Sequence, residues 1–416
     1  MLRRVPAYLA GLLPEGKALI WTILSFALVV SALLYVGMLL LVFVGLHRLR
    51  RGRNLVEYPV CVVIAARNEE ARIGRCLQAL LAQSYPADKT RIVVVDDRSE
   101  DETGNIVRSF ARSCARIRLI SVAAVPDGFS PKKHALELGV ADSRSEIILT
   151  TDADSVPGPA WIEELVRLFE PDVGVAIGVV EMDLTNRPGL LRMLQALELL
   201  SYSVFTAGAV GVGWTINANA GSLAYRRRAF DQVGGLRHTP SVVSGDDVLL
   251  VQRVRAHTSW KIRFAPAEQA FVKTAPAKTL ADFRHQRSRW ASKCTRYPKR
   301  DVAILAGTFL FFLLLATMLP ASIAGLGDWR VPAACWCAKV FLDLVVLARG
   351  CSIFRRRSLL KVFPLAEVLH VPYIVIAAIW GVFFAFEWKG TRYQPAAAPG
   401  TVARELYEKH ATRQSV

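Results

Sequence analysis

Four stretches of this chain are so apolar that a membrane is the simplest surrounding for them. Residues 18–46 run without a charge, and a helix needs roughly 20 such residues to cross a bilayer. A secretory leader has an apolar core of only about 7–15 residues and a small-residue cleavage site, so this run is expected to remain as an anchor. Residues 302–326 form a second uncharged run. Residues 331–348 form a third, weaker one that contains Lys339 and Asp343. Four apart, those two share a helix face and are expected to pair. Self-neutralisation is the favoured reading, with a role in acceptor binding as the alternative. Residues 363–387 form a fourth run. Four full spans put both termini outside, and a re-entrant third run moves the C-terminus inside. Residues 389–416 are polar, contain Pro and Ala, and read as a poorly ordered tail.

Between the anchors, residues 55–300 alternate strand and helix patterns. Tyr58–Ala65, Arg91–Val95, Arg118–Val122 and Glu146–Leu149 are short, nearly continuous Val/Ile-rich strands. Glu70–Gln83, Glu102–Arg112 and Lys132–Ala141 carry apolar residues at helical spacing. Buried strands separated by helices predict an α/β fold, a mostly parallel sheet covered on both faces. Ligands on such sheets bind beyond the carboxyl ends of the strands.

Charge sharpens the membrane reading. The formal net charge is +17, and its basic residues cluster beside the apolar runs: Arg48–Arg53, Arg284–Arg300 and Arg355–Lys361. That placement marks a cytoplasmic membrane face. It predicts a multi-pass protein of the inner membrane with the 55–300 domain in the cytoplasm. Nucleic acid is not an expected partner, since no zinc-finger spacing or RNA-binding signature is present. The seven cysteines form no CxxC pair and read as reduced structural thiols.

Acidic residues gather at the expected strand ends: Glu69 and Glu70 after the first, Asp96 and Asp97 after the second, Asp152 and Asp154 after the fourth. One acidic residue there is usually a cap or turn former; three successive clusters point to a site. In Asp152-Ala153-Asp154 the two carboxylates lie on one side of an extended segment. They can share a hard cation, Mg2+ or Mn2+, with phosphate oxygens and water completing its shell. Such a cation offsets charge on a departing diphosphate. Ser244-Gly245-Asp246-Asp247 precedes an apolar helical stretch; its carboxylates suit either a general base for an acceptor hydroxyl or a helix N-cap. Gln286-Arg287-Ser288-Arg289-Trp290 offers a flat ring for a sugar and a forked donor for phosphate; it also suits an interfacial segment over 282–300.

The ordered set A-R-N-E-E, V-V-D-D-R-S, P-K-K-H-A-L, T-D-A-D-S, G-D-D and Q-x-x-R-W, from about Pro59 to Trp290, resembles the family 2 inverting glycosyltransferases. The resemblance implies an A-type nucleotide-sugar fold. Ala65 and Glu69 would lie near the nucleoside, and Asp97 would contact the uracil of a UDP-sugar, with Asp96 as the alternative. Lys132 would approach the base or diphosphate, with Lys133 as the fallback. Asp152 would face the nucleotide-sugar and Asp154 would hold the metal. Asp247 would be the catalytic base; the family's T-E-D reads Gly-Asp-Asp here, which leaves Asp246 as a second choice. Gln286, Arg289 and Trp290 match Q-x-x-R-W in full and would serve the diphosphate or acceptor. Asn217–Arg227 looks like the acceptor-side strand. Related enzymes either glycosylate membrane lipids, such as ceramide, or polymerise sugars. Four spans are few for a polymer-exporting pore, so a lipid acceptor is favoured over a processive or partner-dependent polysaccharide synthase. Ceramide-like, hopanoid, carotenoid and glycerolipid acceptors all fit. A catalytically dead sugar-nucleotide binder is disfavoured because all the carboxylates are present.

Overall fold

The computed structural model describes residues 7–185 and 188–393. Ala7–His47 is one helix (α1) that contains the first apolar run. The α/β body follows. Strands Val60–Ala66 (β1), Thr90–Asp96 (β2), Ile117–Ser121 (β3) and Ile147–Thr150 (β4) sit within a residue or two of their predicted positions. They alternate with helices Ile73–Leu81 (α2), Thr103–Ser113 (α3) and Pro131–Asp142 (α4). The buried Val and Ile side chains of β1, β2 and β4 explain their unbroken hydrophobic pattern.

The chain continues through Val156–Pro157 (β5), Trp161–Val166 (α5), Val173–Gly178 (β6) and Val180–Met182 (β7). Next come Leu190–Gly211 (α6), Leu223–Arg226 (β8), Arg227–Gln232 (α7), Val248–His257 (α8), Lys261–Ala265 (β9) and Val272–Thr274 (β10). The main sheet runs β3-β2-β1-β4-β8-β6-β9. Its first four strands are mutually parallel, β8 is antiparallel to both neighbours, and β6 is parallel to β9. A small sheet β5-β10-β7 stands beside it. The expected acceptor-side strand is shorter than its pattern suggested: only Leu223–Arg226 pairs, and a 3-10 turn over Ala220–Ser222 precedes it.

Helix α6 was not anticipated. It is long and apolar enough to cross a membrane, yet much of it is buried between the catalytic sheets and α1. Glycines set that contact: a Cβ on Gly45 would fall 1.7 Å from the Gly208 carbonyl oxygen, so α1 and α6 touch backbone to backbone. The first apolar helix, long enough to cross a membrane, is thereby seated directly on the catalytic body.

Leu280–Ser292 (α9) carries the expected interfacial segment and begins with a capping box between Thr279 and Asp282. Lys299–Ile323 (α10), Arg330–Ile353 (α11) and Phe363–Phe383 (α12) cover the three remaining apolar runs. At its start α10 is tied to the body by Asp301, which accepts from Trp214 Nε1 at 3.1 Å and Arg255 Nη2 at 2.8 Å. Its far end meets the early part of α1, where Trp21 Nε1 donates to the Asp328 carbonyl at 3.3 Å. Helix α11 returns to the body, with Phe354 against Phe264 and Phe271.

Helix α12 is long and apolar enough to cross a membrane, and both of its ends stand against the catalytic body. Before it, Arg356 pairs with Glu181 and Glu268, each at 2.6 Å. At its end a Cβ on Gly381 would collide with Ala291 of α9. The chain then forms a hairpin, Phe386–Trp388 (β11) and Thr391–Tyr393 (β12). The reading of 389–416 as a loose tail is therefore corrected for Lys389–Tyr393, which that pairing and a Phe386–Tyr393 ring contact order; residues 394–416 lie outside the described residues.

Candidate active site

The strand ends converge. Ala65, Glu69, Asp97, Lys132, Asp152, Asp154, Asp246, Asp247, Gln286, Arg289 and Trp290 all line one cavity of about 1300 Å³. It opens between the carboxyl edge of β1–β4, the start of α8, and α9.

The sheet explains why neighbours differ in role. Asp97 is nearly fully buried, accepts from Arg98 Nε at 2.9 Å and faces the cavity. Asp96 points the other way: its Oδ1 accepts from the Ser99 amide at 3.1 Å, and its Oδ2 lies against Gly104 at the start of α3. Asp96 is thus a turn former outside the cavity, and Asp97 the cavity residue. Helix phase separates two lysines at the start of α4. Lys132 reaches Asp152 Oδ1 at 2.8 Å and Asp246 Oδ2 at 3.1 Å. Lys133 is fully buried and donates to the Thr239 carbonyl and hydroxyl at 2.7 and 2.9 Å.

Charge is arranged unevenly. Burial works against the Lys132 ammonium, but Asp152 and Asp246 overcome it and raise its pKa. Asp246 is held below the usual carboxylate range despite burial, chiefly by Lys132. Burial pushes Lys133 down to about 8. Asp154 is pushed up to about 6 by burial and by the charges of Asp152 and Glu69, with Arg72 only 3.6 Å away as partial relief. Two carboxylates set close enough for one to raise the pKa of the other, and opening on a cavity, fit a divalent cation. Arg289 tells the complementary story. Its Nε is buried without a hydrogen-bond partner, its pKa is lowered by burial, and it stacks 5.1 Å from the Trp388 ring. A guanidinium left with a free donor fits an anionic ligand.

Asp247 is both N-cap and cavity residue. Its Oδ1 accepts from the Val248 amide at 2.6 Å and from Lys293 at 3.4 Å, and its Oδ2 from the Ala220 amide at 3.1 Å. The last bond joins this carboxylate to the segment leading into β8.

Several contributors were not foreseen. Arg287 lies 4.3 Å from the rings of Phe283 and of Trp290. It forks onto Glu198 of α6 at 2.7 and 2.5 Å, and Tyr373 of α12 donates to the same carboxylate. Lys389 of the hairpin bonds the Arg67 carbonyl at 2.8 Å and Glu69 at 2.5 Å. Lys293 and Arg287 carried a faint signal, sitting inside or just after Q-x-x-R-W. Glu198 carried none, because α6 reads as apolar.

The family "Glycosyltransferase like family 2" matches residues 58–293. The chain belongs to that family, and it is a glycosyltransferase. It is 29% identical over 242 residues to the "Probable glycosyltransferase YdaM" of Bacillus subtilis, which covers 57% of this chain and 56% of that protein. It is 25% identical over 357 residues to the "Beta-monoglucosyldiacylglycerol synthase" of Synechocystis sp., covering 80% of this chain and 71% of that one. The chain thus spans little more than half of the first relative's length. A solved mannosyltransferase from Pyrobaculum calidifontis, in complex with GDP-Man and Mn2+, superposes with a TM-score of 0.56 over 86% of this chain and 99% of that one, at 20% identity. That likeness establishes the shared fold.

Proposed function

We propose that this enzyme transfers a sugar, with inversion, from a UDP-sugar to a hydroxyl of a membrane lipid. The observation that carries the proposal is the continuity of the cavity. It begins among Asp97, Lys132, Asp152 and Asp247 and ends among Phe312, Val346, Ile376 and Val382 of the apolar helices. A soluble acceptor has no use for that second half. The relationship to a glucosyldiacylglycerol synthase supports the same acceptor class.

In this reading Ala65, Glu69 and Asp97 hold the nucleoside, Lys132 and Arg289 meet the diphosphate, and Trp290 offers a face to sugar or acceptor. Asp152 and Asp154 would hold Mg2+ or Mn2+, which offsets charge on the leaving diphosphate. Asp247 accepts the proton of the acceptor hydroxyl as its oxygen attacks the anomeric carbon. One displacement on that carbon inverts it. Asp246 is the weaker candidate for base because Lys132 already pairs with it.

The membrane arrangement follows from the helix ends. Helices α1, α10 and α11 each run from the catalytic body to the far side or back. Helix α12 leaves the body and returns to it. We therefore place three crossings in the bilayer, with the catalytic domain and the segment after α12 on the cytoplasmic side.

The test is release of nucleoside diphosphate by the purified protein, with and without a membrane lipid extract and a divalent cation. Release from a UDP-sugar that requires both supports the proposal. Undiminished release without lipid contradicts the acceptor class.

A further inference from the structure

Lys339 and Asp343 pair as their spacing predicts, Nζ to Oδ2 at 2.8 Å, but they are not alone. Glu367 and His370 of α12 reach the same ammonium, Glu367 in a close ion pair and His370 Nδ1 at 3.2 Å. Tyr35 of α1 donates to Asp343 Oδ1 at 2.7 Å. Asp343, Glu367 and His370 bring ligand atoms within 4.8 Å of one another. That spacing suits a metal, but the Lys339 ammonium is bonded to all three and already fills the centre.

Two carboxylates, those of Asp343 and Glu367, share the one ammonium of Lys339. Because Lys339 donates to Nδ1, the neutral ring carries its proton on Nε2. Lys339 is sealed away, while Asp343, Glu367 and His370 line the same cavity as Asp247 and Trp290. An ion cluster serving only to join helices needs no face on a cavity. Here two carboxylates and the Nε2–H of His370 border a space otherwise walled by Phe312, Val346 and Leu369, where a polar group without a partner is costly.

Helix α10 gives the depth. Val302 and Phe312 both line the cavity, and the ten-residue step between them is about 15 Å of helix. The Phe312 ring lies 5.1 Å from that of His370. We propose that Asp343, Glu367 and His370 form a deep subsite for the acceptor lipid. It receives a hydroxyl deeper in the cavity than the sugar-accepting one, which donates to a carboxylate and accepts from the His370 Nε2–H. The acceptor is then a lipid with a polar group partway along its hydrophobic part, in preference to a plain diester. This inference rests on the lipid-acceptor reading above.

The test uses the full-length protein in nanodiscs, with sugar transfer to a membrane lipid extract as readout. Two competitors differ only in a hydroxyl partway along each acyl chain: 1,2-dioleoylglycerol and 1,2-diricinoleoylglycerol. A charge-assisted hydrogen bond corresponds to about tenfold or more in affinity. The hydroxylated competitor is expected to halve transfer at about one-tenth the concentration of the plain one. In Glu367→Gln, and independently in His370→Phe, that ratio is expected to fall toward one while the donor KM stays unchanged. Equal potency on the unmodified enzyme, or a preserved preference in both variants, overturns the subsite alone. Absence of any transfer to the lipid extract overturns the lipid-acceptor reading and the subsite with it.

Discussion

Lys132 Nζ lies 2.8 Å from Asp152 Oδ1, joining the first turn of α4 to the D-x-D segment after β4. The same ammonium reaches Asp246, so one cation organises two acidic clusters that are far apart in sequence. Replacing it removes a donor to the proposed diphosphate and strands a buried carboxylate. Lys132→Met is expected to raise the donor KM at least tenfold and to destabilise the fold by about 3 kcal/mol. Donor titration and thermal unfolding of the purified variant check the two effects separately.

Asp247→Asn keeps the side chain's shape and one acceptor oxygen, so it retains only one of the bonds from the Ala220 and Val248 amides, and its thermal unfolding is read beside its turnover. General-base removal costs about 10²–10⁴ in rate. Asp247→Asn is expected to lose turnover on that scale with donor affinity intact, measured by single-turnover kinetics and nucleotide binding. Normal turnover moves the base role to Asp246.

The D-x-D pair predicts metal dependence. Chelation should abolish transfer by the native enzyme, and Mg2+ or Mn2+ should restore it. Asp154→Ala should not be restored at the same concentrations. The measurement is a metal titration of initial rate on both proteins.

Arg287 tests the scaffold behind Trp290. Its guanidinium lies against that ring and forks onto Glu198, a geometry that Lys cannot reproduce. Arg287→Lys is expected to raise the acceptor KM severalfold while leaving the donor KM unchanged. Equal effects on both would contradict a positioning role.

Lys133 yields a pH prediction. Burial lowers its pKa in the folded protein to about 8 from the ordinary 10.5. Between those values the unfolded chain binds the extra proton, so this group makes the fold more stable as pH rises from about 8 to 10.5. Below pH 8 its buried charge costs on the order of 3 kcal/mol. Lys133→Met should unfold at a higher temperature than the native protein at pH 7, and the gap should close toward pH 10. A gap independent of pH would contradict this account.

The sequence made the catalytic domain legible because each motif sits at a strand end that hydrophobic pattern alone locates. Val/Ile runs place β1, β2 and β4, and the acidic residues follow them directly. Pattern does not say which of two adjacent residues faces the ligand. That depends on strand pleat and helix phase, which is why Asp96 stayed as an alternative to Asp97, and Lys133 as a fallback for Lys132, until the structure placed Asp97 and Lys132 on the cavity. Tertiary partners such as Glu198 were invisible for a related reason. An isolated glutamate in an apolar helix has no local pattern, and its role exists only once Arg287 and Tyr373 arrive from α9 and α12. The packing of both ends of α12 against the catalytic body was equally hidden, since hydropathy does not say what the ends of an apolar helix touch. The hairpin after it was masked by its charged, glycine-containing sequence, which reads as loop.

The central claim is that the proposed nucleotide-sugar site and the apolar part of the cavity, proposed to take a lipid, meet at Asp247. Its most direct test is a phase-partition assay: purified protein, a panel of radiolabelled nucleotide sugars and membrane lipid extract, run beside Asp247→Asn. The account predicts label from a UDP-sugar in the organic phase for the native enzyme and none for the variant. Label retained in an insoluble polymer, or organic-phase label that survives the Asp247→Asn change, would contradict it.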